Sequence, residues 1–197
     1  EASKVRQAGG LVVFATESFY GLAADPRQDG ALRRLFALKG RSPDQPLLLL
    51  LPSKESAAEY AARIPPLAER LMERFWPGGL TLVLEALPTV SPLLTAGTGT
   101  IGLRLSSHPL ATALARRFGG AVTGTSANPS GRPPACSARE AAVSLACERA
   151  LILDGGPTPG GAGSTVLDVT VDPPRILRQG QVSREALAAC LSPGAPS

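Results

Sequence analysis

The chain has 197 residues, of which 44% are hydrophobic and 4% aromatic, and its formal net charge is +4. This length can bury the core of one domain, and so few aromatic residues argue against a surface that stacks single-stranded bases. The charge is compatible with a nucleotide or RNA ligand, and equally with a solvated surface that carries a few extra arginines.

Short apolar runs bounded by glycine, proline or polar residues predict the strands of a sheet. We predict strands at 11–15, 47–51, 80–85, 101–105, 121–125, 151–153 and 165–169, and the start of another at 176–177. Helical spacing of apolar residues predicts helices at 29–39, 53–62, 66–75, 109–118, 138–146 and 183–191. Glycine, proline and polar residues predict loops at 16–26, 88–99 and 155–163.

Strands interspersed with helices predict a mixed α/β or α+β fold, in which helices pack on a sheet. No internal repeat and no long linker divides the chain, so we predict a single domain over residues 1–197. The tail from about residue 192 is expected to be frayed.

The three cysteines, Cys136, Cys147 and Cys190, are far apart in the sequence. No pair has the spacing of metal ligands, and an odd number does not fit a disulfide framework, so we expect reduced thiols and no transition metal. The apolar run 47–51 is too short to cross a membrane, and the N-terminus has no signal-peptide pattern. We therefore expect a cytoplasmic protein with no membrane partner.

The most informative segment is 126–133, with the sequence Ser-Ala-Asn-Pro-Ser-Gly-Arg-Pro. It follows a predicted strand and combines hydroxyl, amide and guanidinium groups with free backbone N–H groups, which suits an anionic ligand. Lys39 and Arg41 flank Gly40 at the end of the helix 29–39, so both can turn toward one pocket. The alternatives are an ordinary turn at 126–133 and surface cations that complete a helix C-terminus.

Arg104 lies inside a predicted apolar strand. A buried guanidinium needs an anionic partner, which is either a protein carboxylate or a ligand. Arg178, near the end of another apolar run, raises the same question. The five glycines of the loop 155–163 indicate either a backbone that approaches something closely or a flexible connection.

Two common types of site do not fit the sequence. Gly97, Gly99 and Gly102 have the spacing of a dinucleotide fingerprint, but they precede a strand instead of joining a strand to a helix, and no P-loop motif occurs. A Ser–His–Asp triad would have to use His108, the only histidine, whose position at the start of a predicted helix favours a capping or surface role. Ser126 also lacks the second glycine of a nucleophile elbow.

Six segments, taken in their order along the chain, give a more specific indication of function than any one motif. They are Thr16-Glu17-Ser18-Phe19-Tyr20-Gly21-Leu22, Lys39-Gly40-Arg41, Phe75-Trp76-Pro77-Gly78-Gly79-Leu80-Thr81-Leu82, Ser126-Ala127-Asn128, the run 151–168 and Ile176-Leu177-Arg178-Gln179-Gly180. In this order they resemble the YrdC-like family of threonylcarbamoyl-AMP synthases, in its short bacterial form. The resemblance covers nearly all of the chain from residue 11 to residue 180.

The resemblance implies a twisted mixed β-sheet flanked by helices around a deep, positively charged central cavity. It also implies a nucleotidyltransferase that joins L-threonine, bicarbonate and ATP, with Mg²⁺ accompanying ATP, into threonylcarbamoyl-AMP and pyrophosphate. A partner transferase complex would then move the threonylcarbamoyl group to the adenosine beside the anticodon of certain tRNAs. Weak binding of tRNA to the chain itself is compatible with the family.

The family's functional residues map onto nine positions of this sequence. Thr16, Arg104 and Ser164 would bind threonine, and the guanidinium of Arg104 suits its carboxylate. The residues that would bind ATP are Lys39, Thr100, Ser126, Asn128 and Arg178. Lys39, Arg41 and Arg104 would stabilise the charge of the reacting groups, so no metal-binding side chains are expected.

The sequence departs from the family pattern at several positions. Ala15 replaces the usual proline before Thr16, and Ser18 replaces a threonine. Leu50 stands where many relatives have a histidine near threonine. Pro134 stands where relatives often have a nucleotide-contacting serine, a role that Ser137 could take over.

Two other functions stay open. One is a non-catalytic RNA- or nucleotide-binding protein with the same fold, which the basic composition allows. The other is a carbamoyl-handling domain like that of hydrogenase-maturation proteins, which are longer multidomain chains. We also expect the chain to lack the additional C-terminal domain of the longer archaeal and eukaryotic forms.

Overall fold

The computed structural model describes residues 1–146 and 150–191; Cys147 and the tail predicted from residue 192 lie outside this part. The helices are α1 (Ala2–Gln7), α2 (Asp29–Lys39), α3 (Pro66–Phe75), α4 (Pro92–Thr95), α5 (Pro109–Phe118), α6 (Ala138–Leu145) and α7 (Arg184–Leu191), with a 3₁₀ helix at Glu55–Glu59. The strands are β1 (Leu11–Ala15), β2 (Tyr20–Ala23), β3 (Leu49–Leu50), β4 (Leu80–Glu85), β5 (Thr100–Arg104), β6 (Val122–Thr123), β7 (Thr125–Ser126), β8 (Ala150–Leu153), β9 (Thr165–Asp168) and β10 (Arg175–Arg178).

The strands form two hydrogen-bonded sheets, in the orders β7–β2–β1–β8 and β10–β9–β4–β5–β3–β6. Both sheets are mixed, because β1 pairs antiparallel with β2 and parallel with β8, and β4 pairs antiparallel with β5 and parallel with β9. The predicted mixed α/β class is confirmed, although the strands divide between two sheets instead of forming one.

The two sheets meet at Gly124, between β6 and β7. β6 pairs with β3 of the six-stranded sheet, whereas β7 pairs with β2 of the four-stranded sheet. The Thr123 hydroxyl accepts a hydrogen bond from the Ala24 N–H at 2.9 Å and so links the sheets. The single strand predicted at 121–125 is therefore wrong: the chain passes from one sheet to the other within it.

Most other predicted elements are present, with ends shifted by one or two residues, but three assignments are wrong. The predicted loop 16–26 contains β2, whose four residues are all buried and pair with β1. The predicted loop 88–99 contains α4, which the Ser91 hydroxyl caps by accepting from the Leu93 N–H. The predicted helix 53–62 is only a short 3₁₀ helix. Helix α1 has no counterpart among the predicted elements.

The hydrophobic core packs against both faces of β1, which is buried along its whole length. One cluster includes Leu35, Leu49 and Leu82, and a second includes Phe14 and Phe118. Each such side chain contributes roughly 1.5–3 kcal/mol on burial, so this core stabilises both sheets. Among the described residues, no helix combines the length and the hydropathy that a membrane span requires.

Candidate functional site

A cavity of about 780 Å³ lies between the two sheets. Tyr20 and Ser126 line it from the four-stranded sheet, and Thr100 and Arg104 line it from the six-stranded sheet. This volume is in the range that small-molecule ligands occupy. The site therefore depends on the packing of both sheets and not on one loop.

One face of the six-stranded sheet forms the cavity floor. Strand pairing places Asp168, Val83 and Gly102 in a row across β9, β4 and β5, and sets Leu50 opposite Arg104. All five residues line the cavity. Alternate residues of a strand share a face, so this register decides which side chains reach a ligand.

Lys39 joins the end of α2 to the loop 126–133. Its side chain is buried, and Nζ donates to the main-chain carbonyl oxygens of Ser126 and, at 2.6 Å, Asn128. The Ser130 N–H donates back to the Lys39 carbonyl at 2.8 Å. Burial, and then the charge of Arg41, lower the pKa of Lys39 to about 8. Lys39 stands behind the cavity wall and does not line the cavity.

Asn128 and Arg41 line the cavity in front of Lys39. The Asn128 side-chain amide donates to the carbonyls of Pro129 at 2.9 Å and Arg132 at 2.6 Å, while its Oδ1 is buried. Arg41 donates from Nη2 to the Pro46 carbonyl at 2.8 Å, and burial lowers its pKa. Within residues 1–146 and 150–191, Asn128 Oδ1 and Arg41 Nε have no hydrogen-bond partner. A buried polar atom without a partner is costly, so both are positions that a ligand can satisfy.

Arg104 is 6% exposed and has a protein carboxylate as its partner. Its Nη1 donates to Glu17 Oε1, and the Ser106 hydroxyl donates to Glu17 Oε2. Burial lowers the pKa of the guanidinium, Glu17 opposes this, and the charge of Arg178 adds to it. The question that the sequence raised is thus answered in part, because Glu17 neutralises Arg104.

Ser164 lies in a buried hydrogen-bond network on the other side of the floor. Its hydroxyl lies 2.7 Å from that of Thr81 and accepts from Arg178 Nη2 at 3.0 Å. Arg178 also donates to the Ser164 carbonyl from Nε and Nη2, at 3.1 and 2.9 Å. Arg178 therefore fixes Ser164 while it lines the cavity itself.

Two threonines of the predicted set, Thr16 and Thr100, also line the cavity. The Thr16 hydroxyl donates to the Phe19 carbonyl at 2.7 Å and is 6% exposed, so it closes the turn between β1 and β2. The Thr100 hydroxyl lies 2.9 Å from that of Thr98 at a more open part of the wall. Both side chains offer neutral hydrogen-bonding groups to a bound molecule.

The charge of the cavity is strongly positive. Its lining arginines are Arg41, Arg104, Arg132, Arg175 and Arg178. Asp168 is the one carboxylate that lines it in the described part of the chain, and it accepts from Thr170 and lies 3.8 Å from Arg175. No group of three or more histidine, cysteine, aspartate or glutamate side chains in that part could hold a metal ion. Such a cavity suits a phosphorylated anion.

The family model described as Telomere recombination, for Sua5, YciO and YrdC proteins, matches residues 4–180. The chain belongs to the Sua5/YciO/YrdC family. The resemblance that the six motifs predict is thereby confirmed over almost the same range of residues.

Two curated relatives carry the same activity in their names. The threonylcarbamoyl-AMP synthase of Bacillus subtilis is 38% identical over 194 residues, which are 98% of this chain and 56% of the relative. The putative threonylcarbamoyl-AMP synthase of Mycobacterium tuberculosis is 39% identical over 191 residues, 97% of this chain and 88% of the relative.

A solved structure of the family contains an amino acid. The crystal structure of Pyrococcus abyssi Sua5 complexed with L-threonine superposes with a TM-score of 0.92 at 38% identity, covering 96% of this chain and 56% of that one. The chain thus spans little more than half the length of the Bacillus and Pyrococcus proteins.

The residues predicted from the family motifs come together, with one exception. Of the nine, eight line the cavity: Thr16, Arg41, Thr100, Arg104, Ser126, Asn128, Ser164 and Arg178. Lys39 is the exception. Leu50 and Pro134, two of the four departures from the family pattern, also line it, whereas the Ser137 hydroxyl caps α6 by accepting from the Glu140 N–H.

Several residues of the site are missing from the sequence-based set. They are Glu17, Thr81, Asp168 and Arg175, of which all but Glu17 line the cavity. Glu17, Thr81 and Asp168 lie inside the matching motifs, so the motifs hold the signal. Arg175 is visible only as a charge at the start of a short apolar run. His108 caps α5, since its Nδ1 accepts from the Leu110 N–H at 3.2 Å.

Proposed function

We propose that this chain is a nucleotidyltransferase that forms threonylcarbamoyl-AMP and pyrophosphate from L-threonine, bicarbonate and ATP. The observation that carries the proposal is the convergence of eight of the nine family residues on one cavity between the sheets. The names of the relatives, and the bound L-threonine of Pyrococcus abyssi Sua5, support the same reaction.

The loop 126–133 and Arg41 form the side of the cavity that we assign to ATP. Asn128 Oδ1 is buried without a partner in the described part of the chain and can accept a hydrogen bond from a nucleotide amino or hydroxyl group. Arg41 and Arg132 would contact the phosphates, and Arg178 would approach them from β10. One guanidinium group can bind a phosphate with two parallel N–H···O hydrogen bonds, and burial strengthens this contact.

We assign Arg104, Ser164 and Thr16 to threonine. Arg104 would bind the carboxylate, for which its planar donors are suited. Ser164 and Thr16 would hydrogen-bond the amino and hydroxyl groups, because both are buried hydroxyls fixed by neighbours. Leu50, opposite Arg104, adds an apolar surface that suits a methyl group.

The oxygen ligands that the cavity offers suit an Mg²⁺ ion that arrives bound to ATP, and not an ion held permanently by the protein. Mg²⁺ prefers several oxygen ligands, and Asp168 is the one carboxylate among the described lining residues. The phosphates of ATP and water would therefore supply most of the ligands. When bound, the ion would neutralise phosphate charge that the arginines do not reach.

In the proposed reaction, the protein acts mainly by positioning the three reactants. The amine nitrogen of threonine forms a bond to the carbon of bicarbonate, one carbon–oxygen bond breaks, and water leaves, which gives a carbamate. A carbamate oxygen then bonds to the α-phosphorus of ATP, and the bond to the β-phosphate oxygen breaks to release pyrophosphate. The residues of this chain hold the reactants in line, stabilise the negative oxygens and keep the labile carbamate away from bulk water.

The product would pass to a transferase that acts on tRNA. The test of the function measures pyrophosphate released by the purified chain when ATP, Mg²⁺, bicarbonate and threonine are omitted one at a time. We expect release only in the complete mixture, and little when serine or valine replaces threonine. Turnover that ignores threonine would refute the proposal, and salt-dependent tRNA binding without turnover would favour a non-catalytic RNA-binding protein.

A further inference from the structure

The guanidinium of Arg104 is held from one side. Nη1 donates to Glu17, whereas Nε is buried and has no hydrogen-bond partner within residues 1–146 and 150–191. Arg104 lines the cavity, but Glu17, with a side chain 14% exposed, does not. The carboxylate of Glu17 therefore does not compete with a ligand for the cavity, and because it is bound through Nη1 it does not occupy the edge formed by Nε and Nη2.

Glu17 is itself fixed in place. Its second carboxylate oxygen accepts from the hydroxyl of Ser106, which is 2% exposed. That hydroxyl in turn accepts from the His108 N–H at 3.2 Å, at the start of α5. The Thr16 hydroxyl closes the turn that carries Glu17. A chain of contacts thus runs from α5 through Ser106 and Glu17 to Arg104.

We propose that Glu17, fixed by Ser106, is a positioning residue that turns the Nε–Nη2 edge of Arg104 toward the carboxylate of the amino-acid substrate. This inference rests on the proposed function and names a residue that acts on substrate only through another. Two parallel N–H groups on one edge bind a carboxylate with defined geometry. If the guanidinium could rotate about its side-chain torsions, each binding event would cost the conformational entropy of fixing it in this orientation.

The alternative is that Glu17 serves only as a counter-ion that makes burial of Arg104 tolerable. Two substitutions separate the roles. Glu17→Asp keeps the charge but withdraws the carboxylate by one methylene group, and Ser106→Ala keeps Glu17 but frees its second oxygen. Glu73→Asp is the matched control, because the Glu73 side chain is 67% exposed and lies 3.8 Å from Lys54 on the surface.

Calorimetry of L-threonine binding and initial rates of pyrophosphate release test the proposal together. We expect Glu17→Asp to raise the Kd and KM for threonine by about tenfold and Ser106→Ala by about threefold, with the KM for ATP within about twofold of wild type. The two variants should differ from wild type in the KM for threonine and not in kcat, since saturating threonine restores the bound geometry. Glu73→Asp should match wild type in every measurement.

The possible failures are distinguishable. If both variants bind threonine like wild type, or if the KM for ATP rises as much as that for threonine, Glu17 is only a counter-ion and the positioning role is wrong. If wild type binds threonine but releases no pyrophosphate, the proposed function fails while the binding data still decide the role of Glu17. A wild-type chain that binds no threonine overturns both.

Discussion

The ammonium group of Lys39 lies 2.6 Å from the main-chain carbonyl oxygen of Asn128. It also donates to the carbonyl of Ser126, so one buried cation joins the Lys-x-Arg and Ser-x-Asn motifs. The contact of Lys39 with ATP that the family motif implies stays a prediction. What the structure adds is a second role, because Lys39 holds the loop whose side chains line the cavity.

Lys39→Met should weaken ATP binding through this loop. Methionine fills similar space but offers no donor, so the carbonyls of Ser126 and Asn128 lose their shared partner. We expect the KM for ATP to rise about tenfold, or ~1.4 kcal/mol, and the KM for threonine to rise less. The control Lys54→Met removes an ammonium that is on the surface, with a side chain 44% exposed, and should leave both constants unchanged. Equal effects of the two substitutions would contradict the account.

The buried Lys39 also predicts how stability depends on pH. Its pKa is about 8 in the folded chain, below the ordinary value of 10.5, because burial and the charge of Arg41 disfavour the ammonium form. At a pH between these two pKa values the unfolded chain binds more protons than the folded one. The titration of Lys39 therefore makes the free energy of unfolding rise with pH in this range. Below pH 8 both states are protonated and this contribution is constant.

Urea unfolding of wild type and Lys39→Met at several pH values isolates the effect, because the other titrating groups cancel in the difference. We expect the free energy of unfolding of wild type minus that of the variant to increase above about pH 8, by at most ~1.4 kcal/mol per pH unit. A difference that stays flat or falls between pH 8 and pH 10 would contradict a lowered pKa.

Thr81→Val tests the network around Ser164. Valine keeps the shape of threonine, but the hydroxyl 2.7 Å from Ser164 Oγ is lost in a buried setting. We expect a loss of about 1 kcal/mol in the free energy of unfolding and a several-fold rise in the KM for threonine. Chemical unfolding and initial rates measure the two effects. A variant with an unchanged KM would show that Ser164 does not need Thr81 to bind its ligand.

Gly124→Ala tests the junction of the two sheets. An added Cβ would lie 2.5 Å from Leu48 Cδ1 and 2.7 Å from Leu50 Cγ, and both leucines line the cavity. We expect a loss of about 1–3 kcal/mol in stability together with weaker ligand binding. Gly30→Ala, at an exposed helical position whose nearest atom is 3.9 Å away, should be neutral or stabilising by up to ~1 kcal/mol. If both variants unfold at the same urea concentration as wild type, the junction is not tightly packed.

Local patterns predicted much of the fold. The apolar run of β1 and the periodic faces of α2, α3 and α5 are all present, since each pattern is complete within one segment. Tyr20–Ala23 escaped prediction because Gly21 is ordinarily a strand breaker. Here the Phe14 ring packs against the Gly21 backbone, where an added Cβ would lie 2.9 Å from the ring, and the pairing with β1 is decided outside the segment.

In the site, too, local sequence patterns reveal some residues but not the partners that lie far away in the sequence. Arg104 is conspicuous as a charge in an apolar strand, but its partner Glu17 is 87 residues away in sequence, so no local pattern links them. The partners of Lys39 are main-chain carbonyl oxygens, which every residue carries, so the sequence contains no sign of them. The splitting of 121–125 likewise depends on which sheet each half reaches.

The most direct test of the central claim follows the atoms of the product. The purified chain is incubated with ¹³C-bicarbonate, ATP, Mg²⁺ and L-threonine, and the nucleotides are separated and weighed by mass spectrometry. We predict a threonylcarbamoyl adenylate whose mass rises by one unit with the labelled bicarbonate and which is absent with Arg104→Ala. If ATP stays intact, or if AMP forms without an adduct that carries the label, the chain does not catalyse this reaction.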